Sequence, residues 1–119
     1  MSTETLSVQK EETSTVAPST IKMDYMAVKN AAMTLRAINH KLRQQIIKLL
    51  DENKRMNVTD IYVKLRLEQS VASQHLAILR RANVVITERD GKFIHYTLNT
   101  ARIAAVSKFV HQLVYSEEA

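Results

Sequence analysis

Asn57-Val58-Thr59-Asp60-Ile61-Tyr62-Val63-Lys64-Leu65-Arg66-Leu67-Glu68-Gln69-Ser70-Val71-Ala72-Ser73-Gln74-His75-Leu76-Ala77-Ile78-Leu79-Arg80-Arg81-Ala82 is the stretch that decides the fold. Asn57 meets Asp60 three positions on, a near capping box with Asp in the usual Glu position, so a helix opens there. Val58, Ile61 and Leu65 give that helix its buried face, and it ends near Arg66. After Leu67-Glu68-Gln69, Ala72, Leu76 and Leu79 recur at i, i+4 and i+7, which predicts a second helix over Ser70–Ala82. Asn83 follows where a helix C-terminus takes a left-handed residue, and Asn is the usual choice after Gly. A short helix, a tight turn and a helix of about 12 residues make a helix-turn-helix, whose second helix can enter the DNA major groove.

Downstream, the period changes. Val84-Val85-Ile86-Thr87 is β-branched throughout, and Lys92–Leu98 alternates Phe93, His95 and Thr97 against Ile94, Tyr96 and Leu98. Asp90-Gly91, with the single glycine of the chain, marks a hairpin turn between them. A final helix from about Thr100 carries Ile103, Val106, Phe109, Val110, Leu113 and Val114. Upstream, Ser19–Thr20 are helix-capping residues with Asp24 set in the first turn, and Met23, Met26, Met33 and Ala37 recur at helical spacing. Asn39 is placed to cap the next helix, with Leu42, Ile46, Leu49 and Leu50 facing inward, and that helix stops in the polar run Asp51–Arg55. The expected class is mainly α with some β: a winged helix-turn-helix of five helices with a two-stranded hairpin wing.

On the second helix of the motif, Gln69, Ser70, Ser73 and Gln74 occupy the N-terminal turns that reach base edges. Gln pairs bidentately with adenine, and Ser with several bases. A polar helix face reads the same way in isolation, so the flanking charge matters. Lys64 and Arg66 precede the helix, Arg80 and Arg81 close it, and Arg89 and Lys92 bracket the hairpin turn. Cations then stand on both sides of the reading helix, where phosphates would lie. His75, beside the inward Leu76, is assigned a hydrogen-bonded or phosphate-contacting role.

Arg43 through Leu50, then Ser70–Leu79, then Arg89-Asp90-Gly91-Lys92-Phe93-Ile94-His95-Tyr96 together resemble the ArsR/SmtB winged-helix repressors. The likeness lies in an Arg-led second helix, an S-x-x-S-x-H-L recognition helix and an aromatic-ended hairpin, in that order, over roughly residues 33–98. It implies a dimer built from the first and last helices, repressing transcription until an inducer lowers DNA affinity. The sensors of that family do not carry over. Where thiol-dependent members hold two cysteines, this chain has Asn57 and Thr59. Where zinc-type members hold ligands on the last helix, it has Thr100, Arg102, Leu113 and Ser116, with His111 out of register. Zinc needs three or four convergent imidazole, thiolate or carboxylate ligands, so no metal and no cofactor is expected.

The totals agree with this reading. The 119 residues fit one domain, hydrophobic residues make up 45% of the chain, and four Tyr, two Phe and no Trp demand an aliphatic core. The net charge is +5; the first twenty residues hold −2 of it, which leaves +7 on residues 21–119 and suggests a polyanionic partner. Residues 1–19, rich in Ser, Thr, Glu and Gln, read as a disordered tail ahead of a winged-helix and dimerisation domain over 20–119. No apolar run spans a bilayer and no signal sequence opens the chain, which points to a cytosolic address. There is no cysteine, no histidine pair at metal spacing and no nucleophile with a partner, so an enzyme is not expected.

The flanking helices are apolar over a wide arc, which predicts a dimer interface through Met23, Met26 and Met33 of the first and Val106, Phe109, Val110 and Leu113 of the last. The expected partners are therefore a second copy and duplex DNA carrying an inverted repeat, with either an unidentified non-metal small-molecule inducer or none. The alternatives are a winged-helix module that binds an acidic protein and, within the same class, a MarR-type regulator.

Overall fold

The computed structural model describes residues 20–116, so the tail expected over residues 1–19 lies outside the described residues. Helix α1 spans Tyr25–Ile38, α2 Lys41–Asn53, β1 Met56–Asn57, α3 Val58–Leu65, α4 Gln69–Arg81, β2 Val85–Asp90, β3 Phe93–Leu98 and α5 Thr100–Tyr115. This is the winged helix-turn-helix expected from the sequence, with a third strand added. The short β1 pairs antiparallel with β3, Met56 opposite Tyr96 and Asn57 opposite His95, to give a sheet of order β1-β3-β2.

Local chemistry sets most of the boundaries. Helix α1 opens later than the Ser19–Thr20 cap would place it: Asp24, expected inside the first turn, is itself the N-cap, its carboxylate accepting from Ala27 N–H at 3.1 Å. Asn39 closes α1 instead of opening α2. The cap of α2 is His40, whose Nδ1 accepts from Leu42 N–H at 3.1 Å, because an unprotonated imidazole nitrogen sits as far from the backbone as an Asn oxygen. Asn57 caps α3 as expected, accepting from Asp60 N–H at 2.8 Å.

Asn83 is left-handed, with φ 61°, and closes α4 in a Schellman motif. Its N–H donates to the Arg80 carbonyl and Val84 N–H to the Leu79 carbonyl, each at 2.9 Å. Arg66 does the same for α3 at φ 59°, and so produces the sharp turn into α4 without a glycine. In the hairpin, Asp90 pairs with Phe93, which makes the loop Gly91-Lys92, one residue later than expected. Gly91 supplies the positive φ (63°) that the first residue of a two-residue loop requires.

The core is aliphatic. Ile46 and Leu50 of α2, Ile61 of α3, Leu76 and Leu79 of α4, and Val84 are fully buried, with Ala37, Leu49, Met56, Ala82 and Val85 around them. Each large side chain removed from water contributes about 1.5–3 kcal/mol, so α2, α3, α4 and the root of the hairpin are held as one unit. Leu42 is only half-buried, and the inward position one residue on is taken by Arg43. Helices α1 and α5 are different. Helix α1 buries only Thr34 and Ala37, and α5 buries no residue.

Candidate nucleic-acid interface

At 100° per residue, Gln69, Ser70, Ser73, Gln74, Ala77, Arg80 and Arg81 fall within an arc of about 140° on α4. Ala72, Leu76 and Leu79 fall outside that arc and are buried. All of the arc except the half-buried Ala77 is exposed, so the four candidate readers and the two closing arginines form one row open to solvent. Amide and hydroxyl groups on such a row can donate to and accept from base edges.

The hairpin stands beside that row. Its register places Val85, Thr87 and Arg89 on one face with Leu98, Tyr96 and Ile94 opposite them. Val85 is in the core, so this is the inward face. Farther out, the face extends beyond the core, with Arg89 near its tip. Tyr96 lines a depression together with Ser73, Ala77, Arg80, Arg81 and Asn83. Tyr96 was not among the expected site residues, and its central place follows from pairing with β1 on one side and β2 on the other, which the sequence does not show. Lys92 occupies the loop, its Nζ 5.5 Å from the centre of the Phe93 ring.

The two wing carboxylates meet counter-charge from behind. Arg55 lies 3.4 Å from Glu88 and 3.8 Å from Asp90. These exposed pairs add little stability, but they offset negative charge on a hairpin otherwise tipped with cations. Between α2 and α3, Lys64 and Arg66 line a shallow notch together with Lys48 and Glu52 of α2, which lie too far away in the chain to be grouped with them by spacing.

His75 does not join the row. It lies 100° beyond Gln74 and turns toward α2, half-buried. Its Nδ1 is 3.2 Å from Arg43 Nη1, and its ring centre is 4.8 Å from that of His40. Burial, followed by the nearby His40 and Arg43 charges, holds its pKa below the ordinary histidine value. Of the two roles set out for it, the structure shows a hydrogen-bonded one, with the ring directed away from the α4 row. Two of the positions aligned above with sensor sites, Asn57 and Arg102, are engaged within the fold. Asn57 is the α3 cap, and Arg102 Nη2 donates to Thr34 Oγ1 at 2.9 Å, tying the head of α5 to α1.

Residues 40–87, which run from the α2 cap into β2, match the family model of the bacterial regulatory proteins of the arsR family. The transcriptional repressor PagR of Bacillus anthracis is 33% identical over 92 residues, covering 77% of this chain and 92% of PagR. This chain belongs to the ArsR family. The transcriptional activator HlyU of Vibrio cholerae is 35% identical over 83 residues, 70% of this chain and 76% of HlyU. The crystal structure of PagR superposes with a TM-score of 0.62, covering 73% of this chain and 99% of that one. That of NolR from Sinorhizobium fredii superposes at 0.64 with 26% identity, over 89% of this chain and all of the other. An ArsR-family chain is a DNA-binding transcriptional regulator and not an enzyme. Among the described residues, no helix is long and apolar enough to cross a membrane.

Proposed function

We propose that this regulator is a homodimeric repressor that reads an inverted-repeat operator with α4. Gln69, Ser70, Ser73 and Gln74 read bases, Lys64, Arg66, Arg80 and Arg81 contact the flanking phosphates, and Arg89 and Lys92 anchor the wing. The observation that carries the reading is the solvent-open polar row on α4, closed by Arg80 and Arg81 and flanked by the hairpin. Dimerisation is supported by apolar surface on α1 and α5 that one subunit leaves uncovered: Met26 is 65% exposed, Leu113 66% and Phe109 45%. Met23 and Met33 extend the patch on the α1 side, with Val106 and Val110 half-buried along α5. A two-fold dimer would present its α4 helices to successive major grooves about 34 Å apart.

The dimer is built from residues 20–119 and responds to a non-metal inducer or to none, since Asn57 and Arg102 are engaged within the fold. Repression is the direction taken by PagR, whereas HlyU is an activator, so the sign of regulation has its own test. Selecting bound sequences from random duplexes with the purified protein should return an inverted repeat. Transcription in vitro from a promoter carrying that repeat should fall as protein is added. Recovery of unrelated sequences, with affinity equal on operator and random DNA, would remove the operator reading.

A further inference from the structure

We propose that Arg43 is a positioning residue for operator reading, fixing α4 against α1 and α2 through a contact with His75 that only an unprotonated Nδ1 can make. The inference rests on α4 being the reading helix.

Arg43 lies in the first turn of α2 and is 9% exposed. Its planar guanidinium spans three helices. Nε donates to the carbonyl of Ala37 and Nη2 to that of Arg36 at 3.3 Å, while Nη1 reaches His75 Nδ1 at 3.2 Å. The two carbonyls belong to the last turn of α1, which lacks intrahelical donors and whose dipole favours a cation. A guanidinium has donors only and keeps its charge at any ordinary pH. His75 Nδ1 must therefore present a lone pair, with any ring proton on Nε2. The neighbouring ring repeats the requirement: His40 Nδ1 accepts from Leu42 N–H and lies against His75 at 4.8 Å.

The charged and titratable groups that act on His75 are His40, at the head of α2, and Arg43. On the far side of Arg43, a depression is lined by Arg36 of α1 and Arg81 of α4, so no carboxylate among these neighbours would compensate a second positive charge. Protonating His75 replaces a hydrogen bond by repulsion from Arg43. Protonating His40 removes the α2 cap beside it. Both changes loosen the joint that holds the middle of α4, and Gln74 and Ser73 are the preceding residues on that helix.

The sign is opposite to that of bulk electrostatics. Acid adds positive charge to the protein and should strengthen binding to any duplex. Loosening the joint should weaken the operator alone. The test is fluorescence anisotropy of the full chain at fixed salt, on the selected operator and on a scrambled duplex, from about pH 7.5 to about pH 5.5, which spans the histidine range. The operator-to-scrambled affinity ratio should fall roughly tenfold, about what one charge-assisted hydrogen bond is worth.

In His75→Asn, Oδ1 stands where Nδ1 stood and carries no titrating proton. This variant should keep the ratio at neutral pH within about threefold and reduce the acid fall; combining it with His40→Asn should abolish the fall. Arg43→Lys, which lacks the fork, should lower the ratio at every pH. A pH-independent ratio in the natural protein, or a double variant that falls as steeply, overturns the inference while leaving operator reading intact. A protein that selects no duplex at neutral pH overturns both.

Discussion

Removing the wing cations, in the double variant Arg89→Ala with Lys92→Ala, isolates electrostatic anchoring from base reading. The structure makes the perturbation clean. Arg89 is exposed near the tip of β2, Lys92 sits in the two-residue loop, and Gly91, which shapes that loop, is untouched. The Arg55 bridge to Glu88 and Asp90 also survives, so the outer part of the hairpin keeps that counter-charge.

Each phosphate neutralised contributes about 0.9 to the slope of log affinity against log salt, so losing two should flatten the slope by roughly 1.8. Between about 50 and 200 mM salt, a fourfold change, the variant should then lose about twelvefold less affinity than the natural protein. Titrating operator and random duplexes by fluorescence anisotropy at four or five salt concentrations gives both slopes. The change should be the same on the two DNAs, because phosphates carry no sequence. An unchanged slope on both, with the hairpin intact by circular dichroism, would refute the wing as an anchor. A loss confined to the operator would instead make Arg89 or Lys92 a base reader.

Other perturbations address the remaining parts. Gln74→Ala and Ser73→Ala should each cost about 1–3 kcal/mol on the operator and little on random DNA; equal losses on both would remove them as readers. Leu113→Glu, on the exposed stripe of α5, should give a monomer in sedimentation equilibrium at micromolar concentration and weaken operator binding, whereas an unchanged mass would place the interface elsewhere. His75 has its pKa held below the usual histidine value of about 6.5, so the unfolded chain takes up its proton first on acidification. Stability should be fully present above about pH 6.5 and decline as pH falls toward the folded value, with a smaller decline in His75→Asn; urea midpoints at several pH values would reveal the difference.

What could be read from the chain were features whose causes lie within a few residues. The Asn57 cap, the left-handed Asn83 and the positive φ of Gly91 each depend on one side chain and its nearest backbone. The aliphatic stripe of α4 depends on a period of 3.6, and that same period put Gln69, Ser70, Ser73 and Gln74 on the open side. His40 escaped because its capping role competes with the commoner choice of Asn39 beside it. Two-residue β1 escaped because no period can show in two residues, and only its pairing with Tyr96 and His95 defines it.

The rest was decided by tertiary structure. His40 and His75 are 35 positions apart and share no spacing pattern, yet the packing of α2 against α4 brings their rings together and sets Arg43 between them and the end of α1. Arg102 and Thr34 meet across 68 positions for the same kind of reason. Periodicity and caps are one-dimensional signals, and they were enough to place helix α4 and the hairpin beyond it. Which polar groups are held inside, and what holds α4 at its angle, follows from how three helices cross.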